Sequence, residues 1–231
     1  MIEFNSIKKI YDNKVALDVE NLIISSQESI GLVGNNGAGK TTMLSLVLDL
    51  IQATKGFVTS DGLKVNASDE WKSYTGSFLN EGFLIPFLSP MEYFEFIASL
   101  HGLNRDDIMK FLDEASGFYS DDIMSKKYIR NLSAGNKNKV GIIAAMMWGP
   151  KLLVLDEPFS NLDPSSQSWL KNRLRKLNRE GVTMLISSHD LNHISEISTR
   201  ILLLENGTLK KDISSGDGTL KELENYFNVT E

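Results

Sequence analysis

The sequence predicts an α/β fold with a mainly parallel sheet, because apolar strand-like runs alternate along the chain with helix-like segments. Residues 151–156 and 182–187 are largely apolar runs, which is typical of strands buried on both faces of a parallel sheet. Between them, Asp163 and Pro164 supply an N-cap and a first helical residue, and leucines at helical spacing follow. A chain of 231 residues is long enough for one such domain with an insertion.

Smaller β elements flank this core. Residues 1–32 are predicted to form short strands and turns, and residues 29–33 form an apolar strand that runs into a glycine-rich loop. Two hairpin turns are predicted from their glycine-containing sequences, Ser60-Asp61-Gly62 and Asn206-Gly207.

The middle of the chain, from about residue 85 to 148, has a different character. Residues 91–100 are rich in Phe, Tyr and Ile without strict alternation, which favours a helix over a strand. A second helix is predicted for residues 104–115 and a third from Ser133 to about Met147. These segments predict a helical lobe inserted into the α/β core.

Composition narrows the class of protein. Hydrophobic residues make up 42% and charged residues 23%, as in ordinary soluble proteins, and the net charge of −6 argues against a generally basic nucleic-acid-binding surface. The absence of cysteine excludes disulfides, thiol catalysis and Cys-based zinc sites. The N-terminus does not resemble a secretory signal, and no apolar run approaches the roughly 18 residues of a membrane span. The sequence therefore predicts a cytosolic chain that reaches a membrane only through a partner.

A phosphate-binding loop is predicted where the sequence fits the pattern G-x-x-x-x-G-K-S/T: Gly34, Asn35, Asn36, Gly37, Ala38, Gly39, Lys40, Thr41, with Thr42 next. Glycines let backbone N–H groups converge on a phosphate, and the N-terminus of the following helix favours anions. Lys40 can reach the β- and γ-phosphates, and the Thr41 hydroxyl can ligate Mg²⁺. A chance glycine-rich turn is the alternative. The apolar strand before the loop and the helical stripe at positions 44, 47, 48 and 51 favour the phosphate site.

Two consecutive carboxylates, Asp156 and Glu157, follow four apolar residues near the end of a predicted buried strand. The first can hold Mg²⁺, often through water, and the second can activate an attacking water as a general base. A strand that simply ends in acidic residues before Pro158 is the alternative. With the phosphate loop upstream, the pair predicts a site that binds ATP with Mg²⁺ and hydrolyses it.

With these motifs in this order, the chain resembles the ABC-type ATPases over nearly its whole length. Shortly before the Asp156 strand, one segment resembles the family signature, usually Leu-Ser-Gly-Gly-Gln: Leu132, Ser133, Ala134, Gly135 and Asn136. The resemblance implies that this segment closes over the γ-phosphate held by the other subunit. An ordinary helix N-cap at Ser133 is the alternative. Ala134 and Asn136 depart from the usual residues but keep a small and an amide character.

Four further positions match the family pattern in part. Asp163 resembles the end of the loop that crosses the dimer interface, although it is also a good N-cap. His189 resembles the switch histidine that contacts the γ-phosphate, at a sheet edge where ligands collect, and a structural histidine is the alternative. Tyr11 matches the aromatic residue that stacks on adenine, against the alternative of an exposed strand tyrosine. Asn80 stands where the family has a Mg²⁺-ligating glutamine. The Asn side chain is one methylene shorter than that of Gln. Either Asn80 reaches the metal through water, or the coupling of this position to the bound nucleotide is altered.

For the fold, the resemblance implies a P-loop NTPase (RecA-like) core with an N-terminal antiparallel β-subdomain and an inserted helical subdomain. Residues 1–231 would form a single ABC ATPase domain. Its core and β-subdomain would span about 1–80 and 149–231, and its helical subdomain about 81–148.

For the mechanism, the resemblance implies a head-to-tail homodimer, or a dimer with a close paralogue, that encloses two ATP molecules. Lys40, Glu157 and His189 would be the catalytic residues. The metal ligands would be Thr41, Asn80 and Asp156.

For the biological role, the resemblance implies a transporter subunit that acts on a separate membrane permease, from the cytoplasmic face of the membrane. The length from Leu88 to Leu132 is more typical of subunits that serve exporters. The aromatic-rich residues 83–96 are a predicted docking surface, with the core of the helical lobe as the alternative. A soluble ABC ATPase acting on ribosomes or DNA is the alternative function. The chain carries one set of ATPase motifs, whereas ribosome-acting members of the family usually carry two, and its net charge is −6. Both observations argue against this alternative, and no nucleic-acid partner is expected.

Overall fold

The computed structural model describes residues 2–216 and 218–229. The strands are β1 (Ile2–Tyr11), β2 (Lys14–Ile24), β3 (Ser29–Val33), β4 (Lys55–Ser60), β5 (Leu63–Lys64), β6 (Thr75–Phe78), β7 (Leu152–Leu155), β8 (Thr183–Ser187), β9 (Arg200–Glu205) and β10 (Thr208–Ser214). The α-helices are α1 (Lys40–Val47), α2 (Pro90–Leu100), α3 (Arg105–Glu114), α4 (Asp121–Met124), α5 (Ala134–Met146), α6 (Pro164–Arg179), α7 (Leu191–Ile197) and α8 (Thr219–Val229). Short 3₁₀ turns cover Glu70–Tyr74, Glu81–Phe83 and Ile129–Asn131.

The strands of the described residues form one sheet in the order β5-β4-β1-β2-β10-β9-β3-β8-β7-β6. From β9 to β6 all neighbours run parallel, with Leu32 paired to Ser187 and Leu155 paired to Ile186. The predicted α/β class with a parallel core is therefore confirmed. Because these strands run the same way, the carboxyl ends of β3, β7 and β8 meet at one edge of the sheet.

The other half of the sheet is mainly antiparallel. β1 pairs antiparallel with β2 and with β4, and β9 pairs antiparallel with β10. Both predicted hairpin turns are confirmed. Asp61 and Gly62 have φ of 48° and 81°, and Asn206 and Gly207 have 50° and 77°, the left-handed values that two-residue hairpin turns need.

The predicted short strands of residues 1–32 are wrong in length. β1 and β2 contain 10 and 11 residues and form one long hairpin. Its turn is Asp12-Asn13, with φ of 44° and 66°. Asp and Asn tolerate this conformation, but without a glycine they give a weaker hairpin signal in the sequence.

The helix after the glycine-rich loop is shorter than its apolar stripe predicts. α1 ends at Val47, and Asp49 takes a φ of 49°, which turns the chain away from the helix axis. Ile51 packs against the same apolar cluster from outside the helix. The hydrophobic pattern therefore identified the buried face correctly but not the end of the helix.

The three predicted helices of the middle segment are confirmed as α2, α3 and α5, within about two residues at each end. Ser89 and Glu92 form a capping box at the start of α2, as Asn104 and Asp107 do for α3. The predicted subdomain boundaries at about residues 81 and 148 stay a prediction.

The core lies on both faces of the sheet, since successive residues of β7 enter different apolar clusters. Leu153 and Leu155 join the cluster that continues into α2, α3 and α5, whereas Leu152 and Val154 join the cluster around α1, β1 and β2. α5 packs closely on β6, because a Cβ added at Gly141 would lie 2.1 Å from the Phe78 ring. This contact fixes α5, whose first turn carries the signature segment, against the parallel core. Within the described residues, no helix combines the length and apolar character needed to cross a membrane.

Candidate functional site

The sequence-predicted site gathers at the carboxyl edge of the parallel strands, where the loops after β3, β7 and β8 lie side by side. A cavity of about 210 Å³ opens there. It is lined by Ala16, Asn36, Gly37, Ala38, Gly39, Lys40, Thr41, Thr42, Asp156 and Glu157. The structure therefore brings the glycine-rich loop and the carboxylate pair, which are more than a hundred residues apart in sequence, into one pocket.

The shape of the loop after β3 requires glycine at two places. Gly34 has a φ of 152°, and a Cβ there would lie 2.2 Å from the Leu204 carbonyl oxygen. Gly39 has a φ of 108°, and a Cβ there would lie 2.8 Å from the Ala16 carbonyl oxygen. Any side chain at either position would therefore displace the backbone of the loop or its neighbours. The loop leads directly into α1, so the helix N-terminus faces the cavity.

Lys40 is folded back into the loop, with a side chain that is only 7% exposed. Its Nζ donates to the Gly34 carbonyl oxygen at 2.6 Å and to the Asn35 carbonyl oxygen at 3.5 Å. The same atom lies 3.7 Å from Oε1 of Glu157. A buried ammonium needs such partners to offset its lost hydration. Its position at the cavity wall places a positive charge where an anionic ligand would sit.

Thr41 and Asp156 supply the oxygen donors of a cation site. The Thr41 hydroxyl donates to Oδ2 of Asp156 at 2.6 Å, so the two side chains are already adjacent. One hydroxyl and one carboxylate beside a phosphate cradle fit Mg²⁺, which takes oxygen ligands and usually shares them with substrate phosphates and water. These residues would hold the ion.

Glu157 occupies a strained position in the centre of the site. Its φ is 48°, which is uncommon for a residue with a side chain. Its Oε1 faces Lys40, and its Oε2 lies 2.8 Å from Nδ1 of His189 and accepts from the His189 backbone N–H at 3.3 Å. The structure therefore brings together three residues that the sequence predicts to be catalytic.

Ser187 is a member of this cluster that the sequence reasoning missed. It is the last residue of β8 and fully buried, and its hydroxyl contacts both Asp156 and the backbone of Glu157. Part of the signal was present, because a serine that ends a buried parallel strand lies at the carboxyl edge of the sheet. That its strand would lie beside the strand of Asp156 could not be predicted from the sequence.

Asn80 is not among the residues that line the cavity beside Thr41 and Asp156. Its side chain caps the 3₁₀ turn Glu81–Phe83, where Oδ1 accepts from the Gly82 N–H at 2.9 Å. The next residue, Glu81, forms a 3.0 Å ion pair with Lys137 of α5. The hydrogen bond uses one of the two lone pairs of Oδ1. A metal-ligating role for Asn80 stays a prediction.

The signature segment forms the exposed start of α5. Ser133 caps the helix by accepting from the Asn136 N–H at 3.3 Å, and Ala134 is exposed beside it. A Cβ added at Gly135 would lie 2.5 Å from the Asn161 carbonyl oxygen, so only glycine allows this approach. Among the described residues, no hydrogen bond or ion pair joins this segment to the phosphate loop. The structure therefore does not bring the signature and the loop of one chain together.

Asp163 is the N-cap of α6, as predicted for it from the sequence alongside the interface role. Oδ1 accepts from the Ser166 N–H at 2.9 Å, and Oδ2 binds Lys139 Nζ at 3.0 Å. A hydrogen bond from the Ser165 hydroxyl, followed by bonds from Ser166 and Lys139, holds the pKa of Asp163 well below its usual range. The carboxylate is thus ionised, and both of its oxygens accept hydrogen bonds from residues of the same chain. A role across a dimer interface stays a prediction.

Tyr11 ends β1 and is 44% exposed. The Lys9 ammonium lies 4.6 Å from the centre of its ring. Tyr11 lies outside the lining of the phosphate cavity, and its stacking on adenine stays a prediction.

The geometry agrees with comparisons to known proteins. A family model described as ABC transporter matches residues 17–160. The ABC transporter ATP-binding protein YhaQ of Bacillus subtilis is 33% identical over 233 residues, which cover 100% of this chain and 76% of that protein. The lantibiotic transport ATP-binding protein SrtF of Streptococcus pyogenes is 30% identical over 230 residues, which cover 99% of this chain and 96% of that protein.

A solved structure shares the fold. It is the dimeric structure of a post-hydrolysis state of the ATP-binding cassette MJ0796 bound to ADP and Pi. It matches with a TM-score of 0.82 and 24% identity, over 94% of this chain and 99% of that one. Because the family model spans more than half of the chain and YhaQ aligns along all of it, this chain belongs to the family of ABC transporter ATP-binding proteins.

Proposed function

We propose that this chain binds ATP with Mg²⁺, hydrolyses it, and thereby drives a transporter whose membrane-spanning permease is a separate protein. The observation that carries the proposal is the position of Glu157, held between Lys40 and His189 at the mouth of the phosphate loop. The MJ0796 cassette, which shares the fold, is described in complex with ADP and Pi, the two products of ATP hydrolysis. This supports ATP as the ligand of the present chain.

Binding would use the loop and its lysine. The N–H groups at the start of α1 and the Lys40 ammonium face the cavity, so they would hold the phosphates of ATP. Lys40 would exchange its bond to the Gly34 carbonyl for bonds to the β- and γ-phosphates. Mg²⁺ bound at Thr41 and Asp156 would neutralise phosphate charge and align the γ-phosphate for attack.

Hydrolysis would use Glu157 as the base. Its carboxylate can accept a proton from a water molecule placed in line with the γ-phosphate. His189 holds one carboxylate oxygen from its side chain and its backbone, so the carboxylate is fixed before the substrate arrives. Such fixed groups lower the barrier because they do not reorganise during the reaction.

The site would be completed by a second copy of the chain. Ser133 and Ala134 form an exposed helix start with Gly135 next to them. Within the residues that the structure describes, this helix start makes no hydrogen bond or ion pair with the loop of its own chain. In a head-to-tail homodimer, this helix start would face the γ-phosphate bound by the partner, and two ATP molecules would lie in the interface. The dimeric MJ0796 cassette supports this arrangement.

Mixing two inactive variants tests the shared site. Ser133→Arg should disable the signature and Lys40→Ala the loop, so each variant alone should lack ATPase activity. An equal mixture should recover about a quarter of wild-type activity, because half of the dimers then contain one intact site of two. Phosphate release by the mixture measures this. A mixture as inactive as its components, although the two chains exchange, would argue for a site within one chain.

The permease would dock on the aromatic surface of residues 83–96. Phe83, Phe87 and Phe96 are exposed there, and Leu50 extends the apolar surface beside Phe83. Exposed aromatics in a cluster are typical of interaction sites. The helical lobe, about residues 81–148, would rotate relative to the core during ATP hydrolysis, and this movement would be passed to the docked permease. An exporter is the favoured direction, since the lantibiotic transport protein SrtF aligns along this whole chain and the lobe has the length typical of exporter subunits.

Membrane association in native cells tests the role. The wild-type chain should sediment with membranes and lie on their cytoplasmic side, and Phe83→Asp with Phe87→Asp should lower the bound fraction about tenfold or more. Ile23→Asp, which charges an exposed apolar residue on β2, is the matched control and should remain bound. Co-sedimentation with ribosomes or DNA, without membranes, would instead support the soluble ABC ATPase.

A further inference from the structure

Ser187 has an unusual position for a polar side chain. It ends β8, and the three residues before it, Met184, Leu185 and Ile186, enter the apolar clusters on both faces of the sheet. Its side chain is 0% exposed. Its strand lies between β3, which leads into the phosphate loop, and β7, which leads into the carboxylate pair. The hydroxyl therefore sits at the centre of the sheet edge that forms the site.

The Ser187 hydroxyl bridges two consecutive residues. It donates to Oδ1 of Asp156 and accepts from the backbone N–H of Glu157 at 2.9 Å. The other oxygen of Asp156 accepts from the Thr41 hydroxyl. The Asp156 carboxylate is thus held at both oxygens, with only part of its capacity left for a cation and its water.

The same bond holds the strained backbone of Glu157. With a φ of 48°, Glu157 has a conformation that persists only when its surroundings impose it. The Ser187 hydroxyl binds the N–H of this residue, and His189, two positions later, binds its carboxylate. Residues at and just after the end of β8 therefore form hydrogen bonds with both the backbone and the side chain of Glu157.

We propose that Ser187 is a positioning residue for ATP hydrolysis, an inference that rests on the function proposed above. Its hydroxyl sets the orientation of the Asp156 carboxylate toward the cation and the direction in which the Glu157 side chain leaves the backbone. Removing the hydroxyl leaves a buried carboxylate oxygen and a buried N–H without this partner. Both groups can then turn away from the positions that the reaction needs.

The test compares three variants of the full chain. Ser187→Ala removes the hydroxyl, and Ser187→Thr retains it on a strand-compatible side chain. Ser29→Ala is the matched control, because Ser29 is equally buried on the neighbouring strand and donates to the Ile197 carbonyl at 2.8 Å, at the opposite end of the sheet. The two alanine variants should lose a similar part of their thermal stability, because each loses a buried hydrogen bond.

We expect Ser187→Ala to lower kcat by about 10- to 100-fold, as is usual when a residue that orients a metal ligand is removed. The gain in ATP affinity caused by Mg²⁺, measured with and without the ion, should shrink. Ser187→Thr should recover most of kcat, and Ser29→Ala should keep wild-type kcat.

Wild-type kcat and an unchanged Mg²⁺ effect in Ser187→Ala would overturn the inference. Equal losses in Ser187→Ala and Ser29→Ala would also overturn it, since they would reflect stability alone. A wild-type chain that binds no ATP or shows no turnover would overturn the proposed function itself. An active wild type with an equally active Ser187→Ala variant would overturn only the role of Ser187.

Discussion

Replacing Glu157 with Gln is expected to lower kcat for ATP hydrolysis by about 100-fold or more and to leave ATP affinity nearly unchanged. Gln has almost the same shape and keeps an oxygen toward His189, but it cannot accept a proton from water. The loop groups that bind the phosphates do not depend on that proton. Steady-state phosphate release and equilibrium ATP binding measure the two quantities separately.

The same variant should accumulate as a dimer in the presence of ATP and Mg²⁺, because the ATP that joins the two copies is no longer consumed. Light scattering should then report twice the mass of the nucleotide-free chain. Glu222→Gln is a suitable control, since Glu222 forms an ion pair with Lys211 and does not line the cavity, and it should behave as the wild type. Near-normal turnover in Glu157→Gln would remove Glu157 from the mechanism.

Replacing Lys40 with Ala is expected to weaken ATP binding about 10- to 100-fold and to abolish detectable hydrolysis. The reason is the loss of charge-assisted hydrogen bonds to the phosphates, each of which contributes about 1.5–3 kcal/mol. Lys40 also donates to the Gly34 carbonyl oxygen, so the variant loses a contact that shapes the loop. Titration with a fluorescent ATP analogue measures the affinity.

A matched control is Lys176→Ala, which removes an exposed lysine near the end of α6 whose partner is Glu180. It should bind ATP as the wild type does. Thermal unfolding of both variants separates loss of the ligand contact from loss of the fold. Unchanged ATP affinity in a folded Lys40→Ala chain would show that the cavity lined by the loop is not the nucleotide site.

The parts of the site that could be predicted from the sequence are those with a local signature. The phosphate loop and Lys40 lie in one continuous segment, and the strand and helix around it are short-range patterns. Asp156 and Glu157 could be added because they end a strand that is apolar throughout, and such strands are parallel and meet at one edge.

Other parts depend on which strands become neighbours. Ser187 gains its position only because β8 lies between β3 and β7, and the order of strands is not written in any local pattern. The same holds for the pairing of Thr41 with Asp156, which joins residues far apart in sequence. The β1–β2 hairpin was missed in length for a different reason, since Asp12-Asn13 reaches left-handed φ values without glycine.

Asn80 illustrates the limit of a resemblance. Its place in the sequence corresponds to a metal ligand in the family, but its shorter side chain is used to cap its own 3₁₀ turn. A residue's alignment gives its backbone position, whereas the hydrogen bonds that it makes depend on side-chain length and on local competition from backbone N–H groups.

The most direct test of the central claim is phosphate release from ATP by the purified chain, measured over a range of chain concentrations with Mg²⁺. Because each site of the proposed dimer would use the loop of one copy and the signature of another, activity per chain should rise with concentration and stay well above the Glu157→Gln background. Activity per chain that is constant down to concentrations where light scattering finds only monomer would contradict the shared site. No release above that background at any concentration would contradict the catalytic site itself.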